Sequence, residues 1–214
     1  GKPSDGLSAF RGYKGFQRAS ACVSGTPRLT GEVWPDWKES TEDFMRLCLD
    51  STDGPCYLVL GRSDWMPFYD TSWASCGGSL HRWLVWGYPS PAFQGSNYKE
   101  QHSFVLYGCR EGVEVKAPAS RRGNVLLHDR VTSSMPSSLA HDFLEDSTQP
   151  KDVVLDLGAE KGTVLSVAEE MGRVCYSVEE NPVLCDKIRQ RWVAQKFSDT
   201  DSWAEKTPPL NPPA

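Results

Sequence analysis

The residues whose types and spacing could do chemistry lie within residues 152–181, in the stretch DVVLDLGAEKGTVLSVAEEMGRVCYSVEEN. An apolar run ends at Asp156, and the turn after it contains Gly158 and Gly162 before a helical pattern begins. In α/β proteins the N–H groups of such a turn and the following helix N-terminus bind ligands. Glu179 follows the next apolar run, where a carboxylate can accept hydrogen bonds from two ribose hydroxyls. The spacing therefore predicts a site for a nucleoside-containing ligand.

Glu160 departs from this pattern, because nucleotide-binding turns prefer glycine at its position. A Cβ there restricts the approach of the backbone to a ligand, and such turns often adopt positive φ. Its carboxylate also adds bulk and negative charge beside Asp156. A buried strand–helix–strand unit can carry this spacing of glycines without binding anything, so a purely structural role for the turn stays open.

The elements that must position these residues alternate between helices and buried strands. Further strand patterns occur in CYLVLG, HRWLVWGY and HSFVLYGC, with REGVEVKAP and GNVLLHDR as short edge strands. Amphipathic helix patterns occur at residues 38–50, in MPSSLAHDFLED and in PVLCDKIRQRWVAQKF. A long Pro/Gly/Ser-containing loop separates HRWLVWGY from HSFVLYGC. This alternation predicts an α/β fold with a mostly parallel sheet.

The domain organisation follows from the length and the composition. A chain of 214 residues with 39% hydrophobic content can bury one sizeable core. We expect an irregular arm over residues 1–30, one domain over 31–200 and a proline-rich, extended tail over 201–214. The arm contains FRGYKGFQR, whose basic and aromatic residues could contact single-stranded nucleic acid or a protein partner.

Charge and cysteine content limit the classes of function. The formal net charge of -5 provides no global positive field for nucleic acid, and no apolar run reaches the length of a membrane span. Seven cysteines, without a CxxC pair, are most simply buried thiols, which favours a reducing intracellular compartment. The chain begins with Gly1 rather than Met, which leaves room for a removed targeting segment.

No metal or nucleophile constellation stands out in the sequence. The four histidines are scattered, no Cys/His spacing matches a metal site, and we predict none. The segment FYDTSW offers Tyr69, Asp70 and Trp73, but its pattern favours the start of a helix.

From Trp37 to Trp192 the order of elements resembles that of the circularly permuted amino-methyltransferases, which modify adenine N6 or cytosine N4 in DNA. The sharpest match is VVLDLGAEKGT followed by GRVCYSVEENP, where GR, a strand, an acidic residue and NP occur together. Asp156, Gly162 and Thr163 match the family's turn, whereas Gly158 replaces an aromatic and Glu160 replaces a glycine. The resemblance implies a Rossmann-like S-adenosylmethionine methyltransferase fold with helices on both faces of the sheet.

The resemblance also implies a cofactor site. The residues that would bind S-adenosylmethionine are Asp156, Gly158, Gly162, Thr163, Glu179 and Asn181. The side chain of Glu160 intrudes on a site that must also accept the cofactor's carboxylate, so we expect weak binding or none.

In the catalytic half, the family binds an extruded base with a polar residue, two prolines and an aromatic residue. The segment of this chain that occupies the corresponding position is SGTP, with Ser24 and Pro27 as weak candidates. It lacks the second proline and the aromatic residue. We therefore expect a catalytically impaired domain that serves as a binding or scaffold subunit of a protein complex, with DNA as a further partner. An active DNA amino-methyltransferase and a dinucleotide-binding oxidoreductase are the alternatives.

Overall fold

The computed structural model describes residues 18–25, 37–60, 65–89, 99–115, 120–129 and 134–196. The helices in these ranges are α1 (Trp37–Ser51), α2 (Met66–Ser75), α3 (Ser137–Ser147), α4 (Thr163–Glu170) and α5 (Pro182–Lys196). The strands are β1 (Ala21–Gly25), β2 (Cys56–Val59), β3 (Gly78–Gly87), β4 (His102–Arg110), β5 (Val125–Leu127), β6 (Val153–Asp156) and β7 (Val174–Ser177). Among the helices of these ranges, none combines the length and apolarity that a membrane span requires.

The strands form one seven-stranded sheet in the order β5-β3-β4-β2-β1-β6-β7. Strands β2, β1, β6 and β7 run parallel to one another, and β3 is parallel to β5. Strand β4 runs antiparallel to both β2 and β3. The predicted α/β, Rossmann-like fold is confirmed, and its parallel half carries the turn and the strand ends that the sequence pattern singles out.

Helices cover both faces of this sheet. Phe143 of α3 and Val167 of α4 belong to one buried cluster, and Met45 of α1 and Trp73 of α2 belong to the other. Adjacent residues of β1 alternate between the two clusters, since Val23 belongs to the first and the residue before it to the second. Burial on both faces explains why the strand patterns are apolar runs rather than alternating ones.

Strand β1 corrects the expectation that residues 1–30 form an irregular arm. Its residues 21–24 are fully buried, and it lies in the middle of the sheet between β2 and β6. The sequence ACVSG has little strand propensity because four of its five residues are small and unbranched. Pairing with two strands overrides that weak local preference. Residues 18–20, which precede β1, are also described, whereas residues 1–17 and 26–30 of the expected arm and the tail over 201–214 lie outside the described residues.

The prediction of an edge strand in REGVEVKAP is also wrong for residues 111–115, the part of that segment after β4 that the structure describes. Strand β4 ends at Arg110, and a turn follows in which Gly112 adopts a φ of +80°. A positive φ ends the ladder, because the extended conformation requires a negative one. The second expected edge strand, in GNVLLHDR, is confirmed as β5.

All seven cysteines lie within the described residues as free thiols. Cys22, Cys48, Cys56 and Cys109 are buried, and the other three are half-buried. The prediction of buried thiols is therefore confirmed for four of them. Burial raises the pKa of Cys48 and Cys109 and thereby disfavours their reactive thiolate forms.

Candidate functional site

The carboxyl ends of β1, β6 and β7 meet at one edge of the sheet. Asp156 at the end of β6 pairs in register with Ser177 at the end of β7. On the other side of β6, Leu155 pairs with Cys22, two residues before Ser24 in β1. The parallel arrangement therefore brings the acidic turn and the candidate catalytic segment to the same edge.

Asp156 is the most perturbed carboxyl group at this edge. It is 1% exposed, and within the described residues its Oδ2 has no hydrogen-bond partner. Burial is the main cause that raises the pKa of this carboxyl to about 8; the nearby charges of Glu179 and Glu160 act in the same direction, and a hydrogen bond from the N–H of Gly158 opposes them. A buried carboxyl with an unused oxygen is well suited to a ligand that brings a hydrogen-bond donor or a positive charge.

Glu179 connects the two halves of the turn. Its Oε2 accepts a hydrogen bond from the N–H of Glu160 at 2.8 Å, and its Oε1 accepts one from the N–H of Asn181 at 3.0 Å. The backbone adds two bonds, from Ala159 N–H to the Val178 carbonyl and from Val178 N–H to the carbonyl at the end of β6. The carboxylate that the pattern assigns to ribose binding therefore also fixes the shape of the turn.

The turn itself uses left-handed backbone conformations. Glu160 has a φ of +45° and Gly162 a φ of +72°. The pattern's preference for glycine at position 160 thus corresponds to a real backbone requirement, which a glutamate meets at some cost in strain. At Gly162 a Cβ would lie 3.1 Å from Cγ2 of Ile188, so this glycine is also needed for the close approach of α5.

Thr163 and Asn181 lie at the N-termini of the two helices that begin at this edge, α4 and α5. Thr163 is the first residue of α4 and is half-buried. The side-chain Oδ1 of Asn181 accepts a hydrogen bond from the N–H of Val183 at 3.0 Å, which caps the N-terminus of α5. Asn181 therefore has a structural function in addition to its predicted place at the site.

The candidate catalytic residues are only partly described. Ser24 is fully buried at the end of β1 and pairs in register with Leu58 of β2. Pro27 lies outside the described residues. The structure thus places Ser24 at the same edge as Asp156.

The segment FYDTSW, whose side chains were the other candidates for contact with a base, is part of helix α2, as its pattern favours. Tyr69 is 1% exposed and Trp73 is fully buried in the core, whereas Asp70 is exposed. Core packing occupies both aromatic rings, so neither can stack on a base.

A cluster that the sequence analysis did not single out lies on α3. His141, Asp142 and Glu145 present ligand atoms within 4.8 Å of one another. Asp142 and Glu145 already pair with Arg122, and His128 Nε2 lies 2.9 Å from Asp142 Oδ2. Among the described residues, Arg122 and His128 thus pair with the carboxylates of this cluster, which is explained as a network of ion pairs and hydrogen bonds. Its i, i+1 and i+4 spacing on one helix was its sole signal in the sequence.

Comparisons with known proteins agree with this geometry. The chain is similar to M1.HpyAVI in its complex with S-adenosylmethionine, with a TM-score of 0.68 and 14% identity over 86% of this chain and 92% of that one. For the putative DNA modification methylase TTHA0409 of Thermus thermophilus, complexed with S-adenosyl-L-methionine, the TM-score is 0.72 and the identity 17%, over 89% and 93% of the two chains. The cytosine-N4-specific PvuII DNA methyltransferase gives 0.71 and 17%, over 94% and 87%.

Because the sequence identities are low, these structural similarities show the fold alone. No sequence among curated proteins matches significantly. The family model described as DNA methylase, for N6 and N4 methyltransferases, matches residues 30–190, which is most of the chain. This chain therefore belongs to the DNA methylase family of N6 and N4 amino-methyltransferases.

Proposed function

We propose that this domain keeps an edge shaped for S-adenosylmethionine but transfers methyl groups poorly, and that it acts as a binding or scaffold subunit. The single observation that carries the proposal is the state of Glu179, both of whose carboxylate oxygens accept backbone hydrogen bonds across the turn that holds Glu160. A ribose would have to share these oxygens through their remaining lone pairs.

The residues at this edge fit the cofactor in charge. S-adenosylmethionine carries an electrophilic methyl group on a sulfonium and also has an ammonium, and both cations are attracted to carboxylates. The raised pKa of buried Asp156 keeps this group protonated near neutral pH, and an ammonium at its unused Oδ2 would favour the ionised form, which then accepts a hydrogen bond from the amino-acid end. Glu179 would hold the ribose, and the N-terminus of α4 at Thr163 would face the cofactor's carboxylate. Binding is therefore expected, although weakened by Glu160.

Impaired methyl transfer is inferred from the segment that would bind the target base. Amino-methyl transfer needs acceptors for the target amino group and a stacking surface for the extruded base. Ser24 supplies one hydroxyl, but it is fully buried at the strand end. Gly25, Thr26 and Pro27 follow where the family has two prolines and an aromatic ring. A base at this edge would thus lack its stacking partner.

A role as a subunit is supported by an exposed apolar face on β7. Val174, Tyr176 and Val178 alternate along the chain and are 47%, 38% and 38% exposed. Residues at alternate positions of an extended segment point to the same side. In the described part of the sheet β7 pairs with β6 alone. This exposed apolar face supports the proposal that a protein partner covers it.

The direct test measures cofactor binding and transfer with the purified chain. Calorimetric titration with S-adenosylmethionine should give weak, saturable binding that Glu179→Ala abolishes and Glu180→Ala, at the exposed neighbouring position, retains. Incubation with methyl-labelled cofactor and duplex DNA should give little or no label above the protein-free rate. Transfer to adenine N6 or cytosine N4 with many turnovers per chain would instead establish the alternative, an active methyltransferase, which the retained Asp156 and Glu179 favour.

A further inference from the structure

A cavity of about 290 Å³ lies on the face of the sheet that α3 covers, in the half formed by β2, β3, β4 and β5. Three stacked rings form one wall. The ring of Tyr57 lies 5.0 Å from that of Tyr107 and 4.4 Å from that of Phe143, with interplanar angles of 28° and 18°. Tyr57 and Phe143 are buried in this stack, so the half-buried ring of Tyr107 is the aromatic surface that a planar group can contact.

This cavity is separate from the acidic edge, by which we mean the carboxyl ends of β1, β6 and β7 with Asp156 and Glu179. Asp146, which lines it, lies in the last turn of α3, from which the chain continues to the amino end of β6. Asp156 and Glu179 follow the carboxyl ends of β6 and β7, in the other half of the sheet. The cavity and the proposed cofactor site are thus at different edges and on different strands.

A β-bulge directs a charged side chain into this cavity. In the ladder between β3 and β4, Leu80 pairs with Gly108 and Arg82 pairs with Tyr107, so that His81 is the extra residue. Without the bulge, His81 would oppose Tyr107 and Arg82 would point to the opposite face, because side chains alternate along a strand. Bulges commonly reorient side chains in this way at functional sites.

The two arginines that line the cavity differ in their ion pairs. Arg122 pairs with Asp146 at 3.3 Å and with Asp142 at 2.9 Å, and it also contacts Glu145. Ser120 donates a further hydrogen bond to Asp146. Arg82 lines the same cavity, is exposed, and forms no ion pair within the described residues. Within the described residues, Arg82 is therefore the charged group of the cavity that has no ionic partner, and it is accessible to an anion.

We propose that this cavity binds a small aromatic anion of the size of a mononucleotide, with its ring against Tyr107 and its anionic group on Arg82. The volume lies at the lower end of the range for small-molecule sites, which suits one ring system with one charged group. Arginine is the preferred partner for phosphate and carboxylate groups because its planar fork donates two parallel hydrogen bonds. This inference is independent of the proposed function.

The test uses the full chain and thymidine 5′-monophosphate, with uncharged thymidine as the matched probe. Calorimetry should show saturable binding of the nucleotide and at least about tenfold weaker binding of thymidine, the effect of losing one charge-assisted hydrogen bond. Arg82→Gln should weaken nucleotide binding by a similar factor. Arg46→Gln, at an exposed position of helix α1 across the sheet, should leave it unchanged.

Three results would overturn the proposal. The first is nucleotide binding by Arg82→Gln equal to that of the unsubstituted chain, and the second is no saturable binding by either protein. The third is loss of nucleotide binding in Glu179→Ala, which would assign the probe to the acidic edge instead. Because Arg82 is exposed, its substitution is expected to leave the circular dichroism spectrum and the thermal midpoint unchanged, which separates lost binding from lost folding.

Discussion

Glu160 combines a left-handed backbone with a carboxylate at the acidic edge, and these two properties can be separated by substitution. Glu160→Gly keeps the N–H that donates to Glu179 but removes the side chain. Glycine adopts a φ of +45° without strain, so the unfolding free energy should change by less than about 1 kcal/mol. Removing the bulk of this side chain, and a negative charge that repels the cofactor's carboxylate, should raise the affinity for S-adenosylmethionine about fivefold to tenfold in calorimetry.

Glu180→Gly is the matched control for this substitution. Glu180 is an exposed neighbour in the same acidic stretch, so its loss changes the net charge equally but leaves the turn intact. An equal gain in affinity from both variants would attribute the effect to net charge. Unchanged affinity in Glu160→Gly would show that its side chain does not obstruct the cofactor.

Asp156 makes stability depend on pH. Its pKa is raised to about 8 in the folded protein, chiefly by burial, whereas the unfolded chain titrates near the ordinary aspartate value. Between these two values the unfolded state loses its proton while the folded state keeps it, so stability falls as pH rises. We expect a slope of up to about 1.4 kcal/mol per pH unit from Asp156 between roughly pH 4 and 8, levelling off above that range.

Urea unfolding across this pH series measures the slope directly. Asp156→Asn removes the titrating group but keeps a polar side chain of the same size, so its stability profile should be flatter. Asp43→Asn, at an exposed position on α1, should keep the slope of the unsubstituted chain. A slope that persists in Asp156→Asn would locate the titration elsewhere.

At the scale of elements, Gly162 joins the cofactor turn to α5. Gly162→Ala must hold an alanine at a φ of +72° and also place its Cβ 3.1 Å from Ile188. Gly172→Ala imposes nearly the same backbone strain, at a φ of +73°, with its closest contact at an ordinary 4.0 Å from Pro150. Both variants should lose about 1 to 2 kcal/mol, and Gly162→Ala should lose more.

Chemical denaturation of the two glycine variants isolates the contribution of packing, because the strain is common to both. The excess loss in Gly162→Ala reports how tightly α5 approaches the turn. Equal losses would mean that Ile188 moves aside at little cost.

Asn181 provides a second test of how elements support the site. Asn181→Ala removes the side-chain acceptor for the Val183 N–H and should destabilise the chain by about 1 kcal/mol, as for a lost N-cap. Asn181→Asp and Asn181→Ser, which retain a capping oxygen, should recover most of that loss in urea unfolding. Failure of both to recover it would show that the amide has another function.

The same elements show what the sequence can and cannot predict. Strand β2, helix α1 and the strand–turn–helix at the acidic edge follow from apolar runs and periodicity, which depend on local sequence alone. Strand β1 was missed because its formation depends on its two neighbours. The acidic residues near the turn were visible in the pattern, but the hydrogen bonds that occupy Glu179 and the bulge beside Arg82 arise from tertiary geometry.

At the scale of the whole molecule, the net charge of -5 conflicts with the DNA substrate of the family. Non-specific DNA binding comes mainly from the release of counterions when basic groups neutralise phosphates. Several of the described arginines pair with carboxylates within the chain, as Arg18 and Arg110 do with Asp53. A subunit of this kind would depend on a partner for the positive surface that holds DNA.

We therefore expect the isolated chain to bind random duplex DNA more weakly than about 100 μM at roughly 0.15 M salt, the weak end of non-specific affinities. Fluorescence anisotropy with a labelled duplex measures this affinity, and the same titration at about 0.05 M salt gives the salt dependence. If few phosphates are contacted, binding should strengthen only slightly at the lower salt. Micromolar binding with a steep salt dependence would reveal a basic surface that contacts phosphates, and would favour an active enzyme over a scaffold.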